Sequence, residues 1–239
     1  MNWQKQRLRI IIYGGIIFIG LFYQYGKIIW HPIYMKLKGK HTSVDIYEKH
    51  GERVTKIWRE RSKVAGLKDL PSQICLIGLK HEQSLEVWSK QKGQHVLLHR
   101  YPFTGFSGKL GPKLKSGDLQ IPEGLYKISF LNPNSRFYLS MKVDYPNDFD
   151  KEVAESDGRE DLGGDIFIHG KEATIGCIPI GDRAIEELYL LAYLVGIENI
   201  DVILSPNDLR TSPPLFESQD VGWITIKYKN IEKALMSFK

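Results

Sequence analysis

Cysteine is scarce in this chain: Cys75 and Cys177 are the only two among 239 residues. Two thiols leave at most one bridge, which excludes a disulfide-built scaffold. Cys75 lies in the apolar run Ile74-Cys75-Leu76-Ile77 and reads as a small buried hydrophobe. Acidic residues are missing altogether from residues 1–40, which hold Lys5, Arg7, Arg9, Lys27, Lys36, Lys38 and Lys40. Removing those seven from the 33 Lys and Arg leaves 26 against 28 Asp and Glu, so the remainder is slightly acidic. A nucleic-acid binder carries its basic excess on the folded domain, and the opposite distribution here argues against nucleic acid as a partner. Internal repeats are also lacking.

The basic N-terminus flanks the run Ile10–Tyr25, IIIYGGIIFIGLFYQY, in which only Gln24 is strongly polar. The run is short for a membrane span and lengthens if Lys27 snorkels and Trp30 sits at the interface. Lys5, Arg7 and Arg9 resemble the charged start of a signal sequence, yet the apolar run ends in the large residues Phe22, Tyr23 and Tyr25 and offers no small-residue cleavage site. The expectation is an uncleaved signal anchor in the cytoplasmic (inner) membrane, with residues 41–239 on its outer, periplasmic side. Four parts follow: a tail and anchor over 1–30, a juxtamembrane helical stalk over 31–70, a catalytic domain over 71–210, and a C-terminal extension over 211–239 packed on that domain.

The stalk contains an amphipathic helix over Val44–Leu67, with an interruption expected near Gly51. Three strand-like runs come next, Ile74–Leu79, Ser84–Ser89 and His95–Tyr101, the last two joined by a hairpin at Lys92-Gly93-Gln94. Residues 104–124 hold five Gly and two Pro without a clear period and read as a long structured loop, a common seat of function. Strands are expected over Tyr126–Phe130 and Phe137–Val143, around a turn at Asn132-Pro133-Asn134. A polar segment to Gly163 follows, with one helical turn near Val153-Ala154. Asp165–Ile168 reads as a short strand ending in His169-Gly170. Asp182 reads as the N-cap of a helix to Val195, with Gly196 just past its end. Val202–Leu204 is another strand, and Gln219–Phe238 fits either strand or helix. The fold class is mainly β with flanking helices (α+β).

A cysteine nucleophile needs a base or a positive neighbour to form its thiolate. His169 ends a strand, and Cys177 follows eight residues later across a loop that can return the sulfur to the imidazole. Gly176 permits a sharp turn that exposes the Gly176 and Cys177 amides to an oxyanion. Spacing alone leaves this open, because a lone cysteine is usually buried and inert. His95 and His99 are four apart, but on a strand-like run with no third ligand in evidence, so no metal is expected. Lys109, Lys113 and Lys115 offer cations for a carboxylate or simply a solvated loop. Tyr138, Tyr145 and Trp88 are candidates for a cleft wall, although aromatics at strand spacing more often belong to a core.

The stretch Gly163-Gly164-Asp165-Ile166-Phe167-Ile168-His169-Gly170, followed by Thr174-Ile175-Gly176-Cys177, resembles the L,D-transpeptidase catalytic domain (YkuD) family, and within it the YafK-like branch. Ser107–Lys113, Gly117-Asp118, Pro122-Glu123-Gly124-Tyr126, Asn132–Ser135, and Tyr145-Pro146-Asn147 with Asp150 match in the expected order. The resemblance implies a β-sandwich or barrel-like catalytic domain and a Cys–His site acting on peptidoglycan stem peptides through a thioester. It assigns Cys177 as nucleophile, His169 as general base, Gly170 as the backbone carbonyl orienting the imidazole, and Gly176 as an oxyanion-hole amide. Lys109, Lys113, Tyr138 and Tyr145 are the substrate-binding candidates, and neither cofactor nor metal is implied. Ile175 stands where the family usually has a second histidine, and Pro179 where it usually has a polar or arginine residue. An acyltransferase is the first expectation. The alternatives are a hydrolase of the same fold (L,D-carboxypeptidase, endopeptidase or amidase) and a non-catalytic wall-binding anchor.

Overall fold

The computed structural model describes residues 39–91, 93–216 and 222–238, with a few positions before residue 39. The expected anchor over residues 10–25 lies largely outside the described residues. No helix among the described residues is long and apolar enough to cross a membrane. The chain divides into two units, 1–41 and 42–239, and the second carries the fold described below.

That unit opens with helix α1 (Ser43–Val64). A capping box starts it: the Asp45 N–H donates to Thr42 Oγ1 at 3.2 Å and the Thr42 N–H to Asp45 Oδ2 at 2.6 Å. The break expected at Gly51 does not occur, because the Tyr47 ring fills the space where a side chain at Gly51 would project. The glycine serves close packing within a continuous helix. Val54 and Trp58 bury the inner stripe, and the Trp58 indole N–H donates to the Glu187 carbonyl at 2.9 Å.

Strands β1 (Ile74–Leu79), β2 (Ser84–Gln91) and β3 (Gln94–Pro102) form the expected antiparallel meander. Next come β4 (Gly124–Ser135), β5 (Tyr138–Val143), helix α2 (Asp148–Ser156), β6 (Phe167–His169), β7 (Ile178–Pro179), helix α3 (Asp182–Val195), β8 (Ile200–Ser205) and helix α4 (Ile224–Leu235). The strands join into one open sheet of order β3-β2-β1-β8-β4-β5-β6-β7. Pairing is parallel for β1–β8 and β6–β7 and antiparallel elsewhere. The architecture is therefore mixed α+β, with free edges at β3 and β7 where a closed barrel would have none. Strand β4 links the halves: Gly124–Lys127 pair with β8, and Ile128–Ser135 with β5.

Every residue of β1 is buried because both faces of the sheet are covered there. Ile74 and Leu76 face the main core with α1 and α3, while Cys75, Ile77 and Leu79 face Trp223, Tyr228, Ile231 and Leu235 from the α4 segment. A strand covered on both sides reads as an unbroken apolar run, which is how this one reads. The C-terminal segment thus resolves as a helix.

Three boundaries differ from the expected ones. Strand β4 runs through Asn132–Asn134 to Ser135, with a register irregularity after Asn132 that accommodates Pro133. The polar segment after Tyr145 forms the full helix α2, started by Asn147 and Asp150 as a reciprocal capping pair. Asp182 is the first helical residue of α3 and not its cap; Gly181 precedes it, and the Asp182 carboxylate accepts the Lys171 N–H at 2.9 Å.

The loop between β3 and β4 is tied down from beneath by a buried ionic cluster. Lys80 Nζ donates to Glu123 Oε1 at 2.7 Å and to the Gly111 and Ile121 carbonyls at 2.7 and 2.9 Å. Glu123 Oε1 also accepts the Gly111 N–H, and Oε2 accepts the Tyr228 hydroxyl at 2.8 Å. Lys227 Nζ reaches the Glu123 carbonyl at 2.8 Å and Asp150 Oδ1 at 2.6 Å. Burial lowers the Lys80 pKa, and Glu123 opposes that shift. Removing one partner from such a pair leaves an uncompensated charge. Glu123→Ala is expected to lower stability by roughly 3–5 kcal/mol in urea denaturation of the full chain. A loss of less than about 1 kcal/mol, the value of an exposed pair, would contradict the buried placement.

Candidate active site

Alternation along β4–β7 builds one face of the sheet for chemistry. Met141, Ile168 and Ile178 point into the main core. Their neighbours in sequence therefore point to the other face. The pairing register sets those neighbours out in two rows across the strands. Phe130, Lys142 and Phe167 stand side by side, as do Asn132, Ser140, His169 and Pro179. The parallel register of β6 and β7 pairs Ile168 with Ile178, which brings Cys177 level with Phe167. Cys177 and His169 are thus diagonal neighbours on one face, a relation that spaces Cα atoms by about 7–8 Å and lets side chains meet.

The imidazole is tightly specified. His169 Nδ1 lies 2.5 Å from the Gly170 carbonyl oxygen. A carbonyl only accepts, so Nδ1 carries the proton and Nε2 keeps a bare lone pair. That Nε2 is buried and has no hydrogen-bond partner among the described residues. Phe137 covers the ring with centroids 4.5 Å apart, and His169 is 1% exposed. Burial lowers the His169 pKa, opposed by the Gly170 hydrogen bond, so the resting ring is a neutral base. Gly170 is required by close approach: a Cβ there would lie 2.6 Å from both the Phe137 carbonyl oxygen and Asp182 Oδ1.

The half-buried Cys177 closes a short turn. The Thr174 hydroxyl accepts the Cys177 N–H at 2.9 Å and donates to the Cys177 carbonyl at 2.7 Å. This clamp fixes the turn, and it also engages the Cys177 amide that the sequence offered to an oxyanion. Gly176 has a φ of 119°, and a Cβ would sit 3.0 Å from the Gln120 carbonyl oxygen, so only glycine fits against the loop wall. Cys177 Sγ contacts the Asp165 carbonyl oxygen at 3.5 Å. Burial pushes the Cys177 thiol above its ordinary range; the Phe167 backbone N–H and Lys113 oppose this, and Asp165 adds to it. The resting state is therefore a neutral thiol and a neutral imidazole on the same face of the sheet.

Most of the other expected site residues have partners of their own. Tyr145 is core: 4% exposed, its hydroxyl on the Leu162 carbonyl and its ring against Tyr126. Tyr138 gives its hydroxyl to Glu186 on α3 and so faces the helix side of the sheet. Trp88 packs on Phe238 and under Arg210. Lys109 is exposed on the loop. Lys113 is buried, with Nζ held by Asp118 at 2.6 Å and the Lys115 carbonyl at 2.9 Å, so it braces the loop and reaches the thiol only through its field. His95 bonds the Ser237 carbonyl, and His99 stacks edge-on against Trp58 and Tyr101. Phe137, Thr174 and Asp165 were not singled out from sequence. Thr174 had a legible signal, a hydroxyl three residues before a turn-borne cysteine, whereas Phe137 depends on tertiary packing alone.

In the native protein, iodoacetamide is expected to label Cys177 with a rate that climbs through a midpoint above pH 9.0, while Cys75, 1% exposed, stays protected until unfolding. A labelling plateau already reached at neutral pH would contradict a neutral resting pair. His169 also titrates lower folded than unfolded, so its contribution to stability is complete above about pH 6.5 and is lost as pH falls below that value.

Known proteins resemble this chain over the region that holds these residues. The family model of the L,D-transpeptidase catalytic domain (YkuD) matches residues 72–197. YafK of Escherichia coli (strain K12), an inferred L,D-transpeptidase, is 30% identical over 158 residues, which is 64% of this chain and 58% of that relative. The chain thus spans somewhat over half the length of the curated relatives it matches. Among solved structures, the helical cell shape determining protein Pgp2 from Campylobacter jejuni has a TM-score of 0.47 and 24% identity, over 56% of this chain and 48% of that one. A Bdellovibrio bacteriovorus structure has a TM-score of 0.43 and 17% identity, over 69% and 54%. The family match covers more than half of the chain and includes both His169 and Cys177, and this chain belongs to the L,D-transpeptidase catalytic domain family of peptidoglycan-related proteins.

Proposed function

We propose that the protein is a cysteine acyltransferase acting on peptidoglycan stem peptides. The observation that carries this is the buried Nε2 of His169, without a partner among the described residues, on the same sheet face as the Cys177 thiol. A buried polar atom without a partner is costly and calls for a functional account. A thiol proton supplies one.

In the first half-reaction Nε2 takes the proton as Cys177 Sγ attacks the carbonyl carbon of the donor peptide. The oxyanion forms beside the Gly176 amide; a second donor from the Cys177 amide requires release of Thr174. The imidazolium then protonates the leaving amine and leaves a thioester on Cys177. In the second half-reaction Nε2 removes a proton from the acceptor amine, which attacks the thioester and releases the thiol. Water as acceptor gives hydrolysis by the same steps, so the partition rests on how firmly an amine is held. The basic, apolar N-terminus supports a place on the outer face of the cytoplasmic membrane, where the wall peptides are.

Incubation of the full chain with purified tetrapeptide muropeptides, read by mass spectrometry, is expected to give cross-linked or amine-exchanged products that Cys177→Ala does not form. Loss of the terminal residue with water added would reassign the activity as hydrolysis on the same thioester. Product from Cys177→Ala would remove the nucleophile from the account. Cys177→Ser is expected to lose at least about 10³-fold in turnover, because a hydroxyl is much harder to ionise beside one imidazole. The acid limb of the kcat/KM profile is expected below pH 6.5, since His169 accepts a proton only when neutral and its pKa is lowered. An acid limb above that value would contradict the assignment.

A further inference from the structure

We propose that Lys142, between Phe130 and Phe167, forms a subsite for a free carboxylate on the donor peptide. This inference rests on the acyl-transfer reading and names the feature of the substrate that the site selects. Cross-strand register places the three side chains in the row that Cys177 ends. Strands stand about 4.8 Å apart, so Lys142 lies two strands, roughly 10 Å, from the nucleophile along a line that an extended peptide can follow.

The row is open where it meets solvent. Phe130 is 53% exposed and the Lys142 side chain 35% exposed, in contrast to the covered row that holds His169. Lys142 Nζ lies 5.9 Å from the Phe167 ring centroid, a distance at which a ring face favours a cation and fixes its position. The ammonium already holds a carboxylate: Asp165 Oδ1 is 2.7 Å away, on a side chain 80% exposed. Exposed ion pairs of this kind contribute little to stability, so the pair can open. Asp165 thus occupies the position that a ligand carboxylate would take, while its own carbonyl contacts the thiol. Ile175, next to Gly176 in sequence, is an exposed apolar residue (79%).

The test compares a muropeptide donor bearing free carboxylates with the same donor amidated at the carboxylates remote from the scissile bond. With wild type, the amidated donor is expected to show a higher KM. Lys142→Gln is expected to raise KM for the free-carboxylate donor by about tenfold or more, with kcat changed less than about twofold, and to leave the amidated donor unaffected. Lys142→Arg is expected to restore discrimination. Equal effects of Lys142→Gln on both donors, or no effect on either, would overturn the subsite. Absence of wild-type turnover would instead remove the acyl-transfer reading. In that event, binding to Cys177→Ala decides: affinity for the free-carboxylate peptide that falls in Cys177→Ala with Lys142→Gln supports the subsite, and equal or absent binding overturns it.

Discussion

The pairing of Phe167–His169 with Ile178–Pro179 is the constraint on which the active face depends. It is short, parallel, and joined by a tight loop, so a shift of one residue would exchange every inward and outward side chain. Such a shift would send His169 into the core and Ile168 toward solvent. The core residues on the opposite face prevent it, since Ile168 and Ile178 are fully buried with Met141. The hydrophobic effect on one side of the sheet thus fixes the chemical geometry on the other.

A second constraint acts from below the long loop. Glu123 binds Lys80, the Gly111 amide and the Tyr228 hydroxyl, while Lys227 binds the Glu123 carbonyl. The loop held in this way presents the Gln120 carbonyl to Gly176 and the Lys113 ammonium to the field at Cys177. Helix α4, beyond the matched catalytic domain, therefore contributes to the floor of the site. This explains why a loop rich in glycine and lysine carries a buried, fully partnered carboxylate at its end.

Much of this was legible in sequence. Strand β1 was visible from its apolar run, the β2–β3 hairpin from its glycine turn, and helix α3 from its apolar stripe. Cys177 and His169 stood out through a strand end, a glycine turn and a family resemblance. The misreadings share a cause in tertiary context. Gly51 looked like a helix break because the Tyr47 ring that occupies its empty side is invisible to a local rule. Tyr138 and Tyr145 looked like cleft walls because alternation alone does not say which face is buried. Asp182 looked like a cap, but a partner eleven residues away in Lys171 claims its carboxylate. The capping pair of Asn147 and Asp150 was a local signal that could have been read as a helix start.

The account turns on the state of one ring. A carbonyl acceptor on Nδ1 and a buried Nε2 without a partner among the described residues keep the His169 ring neutral, as the proposed proton transfer from Cys177 requires. Nitrogen-15 NMR of the free protein at neutral pH observes this directly. The predicted spectrum shows His169 with a protonated Nδ1 and a bare Nε2. A protonated Nε2, or an imidazolium paired with a resting thiolate, would contradict it.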